Sequence, residues 1–101
     1  MRYLGVLRGA GDLKCEDEIL ARADYDFEGF LTKPGGVTGG GELRMPPDAL
    51  RLVFGRADLH LLTDDGRFLR LRFSEKQLPA ASDSAHVDVT GDLPARSEWR
   101  H

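Results

Sequence analysis

One cysteine and three histidines are the side chains of this chain with the widest chemical reach. A thiol beside an imidazole makes a nucleophile, and clustered Cys and His residues hold zinc. Cys15, His60, His86 and His101 show neither arrangement along the sequence, with no Cys-x-x-Cys unit and no histidine pair at metal-ligand spacing. A Cys15–His60 or Cys15–His86 dyad stays open, because such partners meet in space rather than in sequence. The competing reading of Cys15 is a small buried residue. No serine sits in a Gly-x-Ser-x-Gly elbow. Gly9-Ala10-Gly11 lacks the third glycine of a dinucleotide loop, and Gly35 to Gly41 is not followed by Lys-Ser/Thr. No catalytic residue, metal site or cofactor is assigned, and the reading leans away from an enzyme without deciding it.

The segment Asp24-Tyr25-Asp26-Phe27-Glu28-Gly29 resembles the first half of an EF-hand calcium loop. Position twelve of that loop must be a bidentate acid, and here it is Gly35. Alternation with Tyr25 and Phe27 accounts for the acids differently, as the solvated face of a strand.

The densest signal lies at 58–73, DLHLLTDDGRFLRLRF. A two-residue loop at Asp65-Gly66 mixes apolar and charged residues on both faces. A three-residue loop, Asp64-Asp65-Gly66, sorts them. Leu61 then opposes Leu69, Leu59 opposes Leu71 and Ala57 opposes Phe73. On the other face Asp58 opposes Arg72, His60 opposes Arg70 and Leu62 opposes Phe68. Opposed residues share a face, so the sorted register is the predicted one. Gly66 suits the left-handed bulge position of such a loop.

This hairpin therefore shows His60, Leu62, Phe68, Arg70 and Arg72 outward, with Arg67 at the loop. Arginine beside an exposed aromatic suits a protein interface or a stacking platform for single-stranded nucleic acid. A plain charged ladder, Asp58 with Arg72 and the acids of Asp24 to Glu28, would also explain it. Leu4, Val6 and Phe30 share the outward parity, and one contiguous patch of these with Leu62 and Phe68 would call for a covering partner.

The other elements follow from periodicity. Tyr3 to Arg8 reads as a short strand, with a turn at Gly9-Ala10-Gly11 and a return over Asp12 to Cys15 that sets Leu7 opposite Leu13. Ile19, Ala21, Ala23, Tyr25 and Phe27 form the inward side of a longer strand reaching Leu31, with Leu20 as its lapse. A loop at Pro34-Gly35-Gly36 would lead into Val37 to Arg44, placing Leu43 opposite Phe27, Met45 opposite Tyr25 and Arg44 opposite Asp26. Gly39-Gly40-Gly41 inside that strand marks a bend or a close approach. Pro47 and Gly55 bracket a helix near 47–54. Ala85 to Thr90 is the last strand.

Most inward residues are odd-numbered: Ala21, Ala23, Tyr25, Phe27, Leu43, Leu59, Leu61, Leu69, Leu71, Phe73, Val87 and Val89. The predicted fold is mostly β, a small antiparallel barrel or roll of six to seven strands with the helix plugging one end. A two-sheet sandwich is the alternative. The 101 residues suffice for one core, expected as a single β-rich domain over 1–94 with a frayed tail over 95–101. A formal charge of −3 disfavours nucleic acid. The unpaired Cys15 favours a reducing compartment. With no membrane span or leader, the expected location is cytoplasmic.

The functional expectation is a non-enzymatic binding or regulatory module, docking a protein partner or a second copy as a homodimer through His60, Leu62, Phe68, Arg70 and Arg72. A small-ligand or catalytic pocket at the barrel mouth, near Cys15, His86 and the glycine strand, is the alternative. Single-stranded nucleic acid on the hairpin face comes third.

Overall fold

The structure is a computed structural model that describes residues 2–32, 36–79, 81–91 and Trp99. In chain order it holds β1 (Arg2–Cys15), β2 (Glu18–Leu31), β3 (Val37–Arg44), α1 (Pro47–Val53), β4 (Leu59–Thr63), β5 (Phe68–Phe73) and β6 (Ser84–Gly91). The six strands pair antiparallel and close into a barrel in the order β1-β2-β3-β6-β5-β4. The sandwich alternative is thereby replaced by the closed barrel.

The alternation that sorts β2 also fills the barrel. Ala23, Tyr25 and Phe27 are buried, while Arg22, Asp24, Asp26 and Glu28 are exposed. Leu43, Leu59, Leu61, Leu69, Leu71, Val87 and Val89 join them in one core, with Ala21 and Phe73 packed half-buried against it.

The antiparallel order puts the ends of β1, β3 and β5 and the starts of β2, β4 and β6 at one mouth. α1 joins β3 to β4 at this mouth. Pro47 begins it without a side-chain cap, Leu50 and Val53 enter the core, and Phe54 packs on Phe73 with ring centroids 5.0 Å apart. Gly55 just beyond takes φ +81°. Toward the other mouth Trp99 is buried in the core against Gly29. The rest of the expected tail lies outside the described residues.

Several expectations are corrected. Gly9-Ala10-Gly11 is not a turn; β1 runs straight through it for 14 residues, and the chain reverses at Glu16-Asp17. Leu7 therefore opposes Phe27 and Leu13 opposes Ala21. One extra residue interrupts each end of the β1–β2 ladder. Tyr3 pairs with Phe30 and Gly5 with Gly29, leaving Leu4 as a bulge; Leu13 pairs with Ala21 and Lys14 with Ile19, leaving Leu20 as another. A bulge reverses parity. Hence Leu4, expected outside, is buried, and Ile19, expected inside, is 58% exposed.

The β2–β3 register differs from the expected one by two residues, with Tyr25 opposite Leu43, Asp26 opposite Glu42 and Asp24 opposite Arg44. A two-residue shift preserves faces, so the core assignment survives. The connection spans residues 32–36, closed by Thr32 N donating to Gly36 O at 2.7 Å; Pro34 and Gly35 fall outside the described residues. In β4–β5 the three-residue loop forms as expected. Leu59 faces Leu71, Leu61 faces Leu69, Thr63 N donates to Arg67 O at 2.8 Å, and Gly66 has φ +95°. The ladder stops at Leu59. Asp58 leaves it at φ +60°, so the expected Ala57–Phe73 and Asp58–Arg72 pairs do not form.

Candidate functional site

The outer surface of the barrel is best followed as rows across the strands. On β4 and β5 the rows are His60 with Arg70 and Leu62 with Phe68, and β1 extends them by Lys14 and Asp12. All five expected site residues point outward. Arg70 and Arg72 are exposed and His60 is half-buried, while Leu62 and Phe68 are 36% and 42% exposed.

His60 and Phe68 are diagonal neighbours, and their rings stack nearly parallel, 4.5 Å between centroids at 8°. Arg70 Nε approaches His60 Nε2 to 3.5 Å, the outer limit of a hydrogen bond. Arg72 lies beyond this cluster and faces Asp88 across β5–β6. The charged-ladder explanation is not realised, since β2 adjoins neither β4 nor β5; Asp26 instead accepts from Arg8 Nε at 3.0 Å.

The single apolar patch does not form either. Leu4 is buried. Tyr3 and Phe30 make an edge-to-face pair, centroids 5.6 Å apart, near one end of β1–β2. Along β1 the positions of Arg8 and Ala10 separate Val6 from Asp12, which neighbours Leu62. Arg22 reinforces that polar belt by donating to Asp12 at 3.1 Å and to both oxygens of Asp64 at 2.8 Å.

A concavity lies on the outer face of β1, β2, β3 and β6, a groove of about 550 Å³. The glycines of β3 make its floor. Gly40 lies between Glu28 and Asp88 in one row, and Glu42 lies between Asp26 and His86 in the next. A Cβ on Gly41 would stand 2.1 Å from Asp26 O, and one on Gly40 would stand 2.6 Å from Val87 O. Both are inside van der Waals contact, so Gly40 and Gly41 are required by the close approach of β2 and β6. Of the two expectations for the glycine strand, the close approach is the one observed, and the hollow beside it has no signal in the sequence.

The chemical candidates disperse. Cys15 is half-buried against the core beside Leu59, and no hydrogen bond joins it to His60 or His86 among the described residues. His101 lies outside them. His86 has partners that the sequence did not signal. Its Nδ1 is 2.7 Å from Ser74 Oγ, and its backbone N–H donates to Glu75 Oε1 at 2.6 Å. Ser74 Oγ also donates to His86 O at 3.1 Å. A Ser–His pair is the start of a hydrolytic site, but this one bonds backbone and side chain of the same residue. It extends the β5–β6 pairing past Phe73 and anchors the loop beyond.

The outer groove reaches His86 but not Cys15. The EF-hand-like acids lie along a strand, facing outward, and no group of three or more potential metal ligands occurs among the described residues. No described helix is long and apolar enough to cross a membrane. The chain matches no protein-family model, no curated protein and no solved structure.

Proposed function

We propose that this barrel is a non-enzymatic docking module that binds a protein partner through the outer face of β4 and β5. The observation that carries the reading is the solvent-facing His60–Phe68 stack with Leu62 beside it. Folding does not call for an aromatic at Phe68, whose neighbours Leu69 and Leu71 already fill the core. Aromatics and arginines are the residues most enriched at protein interfaces. Lys14, Arg70 and Arg72 give the face a positive rim within a chain of charge −3, which favours an acidic partner surface.

Affinity capture with immobilised wild-type protein, read against Phe68→Asp and Arg70→Glu, tests this. Proteins retained by wild type should be lost with both variants. Equal recovery on all three would overturn the reading. The nucleic-acid alternative draws support from the same Arg and Phe residues. It requires oligonucleotide binding that weakens steeply with salt.

The small-ligand alternative is supported by the outer groove, whose volume of about 550 Å³ is of ligand size. Ligand pockets are mostly apolar. This groove is walled by Asp26, Glu28 and Glu42, a lining suited to a charged protein surface.

A further inference from the structure

The barrel carries two faces of opposite character. Lys14, Arg70 and Arg72 border the β4–β5 face. Three carboxylates, those of Asp26, Glu28 and Glu42, against the single guanidinium of Arg8, line the groove, and Asp88 lies in the adjoining hollow between the groove and β5. We propose that the surface received by the β4–β5 face is the groove of a second copy of this chain. The inference rests on the docking reading above and names its partner.

The match is one of spacing as well as sign. β5 projects Phe68, Arg70 and Arg72 at alternate positions, about 7 Å apart. Along β2 the groove presents Phe30, Glu28 and Asp26 at the same pitch, and the registers place Tyr3 beside the first and Glu42 beside the last. With β5 of one copy antiparallel to β2 of the next, Phe68 meets the Tyr3–Phe30 pair. Arg70 then meets Glu28, and Arg72 meets Asp26 and Glu42. Gly40 leaves open the row between Glu28 and Asp88, whose Cα atoms are two strand spacings apart, about 10 Å. A guanidinium fits there with a carboxylate on either side.

The ion pairs already on the groove wall are no obstacle. Arg8–Asp26 at 3.0 Å and Arg44–Glu42 at 3.2 Å are exposed, and exposed pairs exchange partners at little cost. Asp88 adjoins its own copy's Arg72, so Glu28 and Glu42 carry the test. A standard interface takes about 800 Å² from each partner, a small share of the 6196 Å² surface, so two such patches fit on one molecule. Because face and groove are different surfaces, the contact is heterologous and generates a ring or an open chain rather than a two-fold dimer.

Sedimentation velocity across a concentration series tests this with three proteins, each checked for β-sheet circular dichroism. They are wild type, Arg70→Glu with Arg72→Glu, and Glu28→Lys with Glu42→Lys. Wild type should associate, and association should weaken about tenfold or more between low and high salt as charges are screened. Each double variant should be monomeric. Mixed, the two variants should form a 1:1 complex that grows no further, because one keeps its groove and the other its hairpin. Wild type that stays monomeric would overturn the inference while leaving the docking reading to its capture test. Assembly lost in the hairpin variant but kept in the groove variant would also overturn it, in favour of face-to-face pairing through the same hairpin. Assembly unaffected by either variant would remove both this inference and self-docking through the hairpin.

Discussion

At the residue scale, Arg22 shows how exposed charge is used to hold a loop. Its guanidinium spans Asp12 on β1 and Asp64 in the β4–β5 loop, the latter through two bonds of 2.8 Å. Those hydrogen bonds, aided by the positive charge, hold the Asp64 carboxyl below its ordinary value. A depressed carboxyl stabilises the fold above its unfolded value, and that contribution is lost as pH falls through the folded value. The site is fully exposed, so the effect on stability is small. The Asp64 titration itself is the sharper measurement. A carboxyl-detected NMR titration should place Asp64 low in wild type and return it upward in Arg22→Ala; an unmoved midpoint would count against the pairing.

Tyr25 shifts the opposite way, because burial, and then the charge of Asp65, push its phenol above 10.0. Here the folded value is raised. Its contribution is whole below the unfolded value near 10.0 and is lost as pH rises through the folded value. Ultraviolet difference titration should show a late phenolate step that Tyr25→Phe removes, and an unchanged titration in that variant would refute the shift.

At the scale of elements, the glycine strand β3 is under the tightest constraint. Gly41→Ala would drive a Cβ against Asp26 O, a backbone atom that cannot swing away. Overpacking of this kind costs about 1–3 kcal/mol. Urea unfolding of Gly41→Ala should show a lowered midpoint, and wild-type stability would mean that β2 and β3 can separate without penalty.

The elements that were legible in the sequence share one property, a face pattern that a wrong register would spoil. In β4–β5, slipping by one residue would bury His60 and Arg70, so composition determined the pairing down to Leu62 with Phe68. α1 was legible from Pro47 and Gly55. In β2–β3 the competing registers differed by two, which leaves every side chain on its own face, and the pattern had no power to choose. β1 was misread because Gly9 and Gly11 are turn residues by type but here continue a strand. Leu20 was the visible lapse in alternation and proved to be a bulge, whereas the bulge at Leu4 gave no such signal and turned an expected outward residue inward. The five outward site residues were legible for the same reason as their hairpin. The groove was not, since it is made by strands distant in sequence that approach over glycine. Nor was the Ser74–His86 pair, whose residues meet only through the β5–β6 register.

At the scale of the whole molecule, a barrel has no sheet edge to protect but has two open ends to fill. α1 fills one with Leu50 and Val53, residues local to the β3–β4 connection. The other depends on Trp99, which comes from beyond the last strand, is 4% exposed and lies across Gly29, whose added Cβ would stand 2.6 Å from the indole. A side chain that distant in sequence is retained only if its burial outweighs the ordering of the chain that carries it. Trp99→Ala should therefore behave as a core truncation, costing about 3–5 kcal/mol out of the roughly 5–15 kcal/mol typical of a domain. Each kcal/mol lowers Tm by about 4–8 °C at this size. Trp99 is the sole tryptophan, so wild-type fluorescence reports this end of the barrel directly. Its emission should be that of a buried indole and should shift to the red in the same thermal transition as the loss of β-sheet circular dichroism. An earlier red shift, with Trp99→Ala melting like wild type, would mean that the indole rests on a barrel already closed without it.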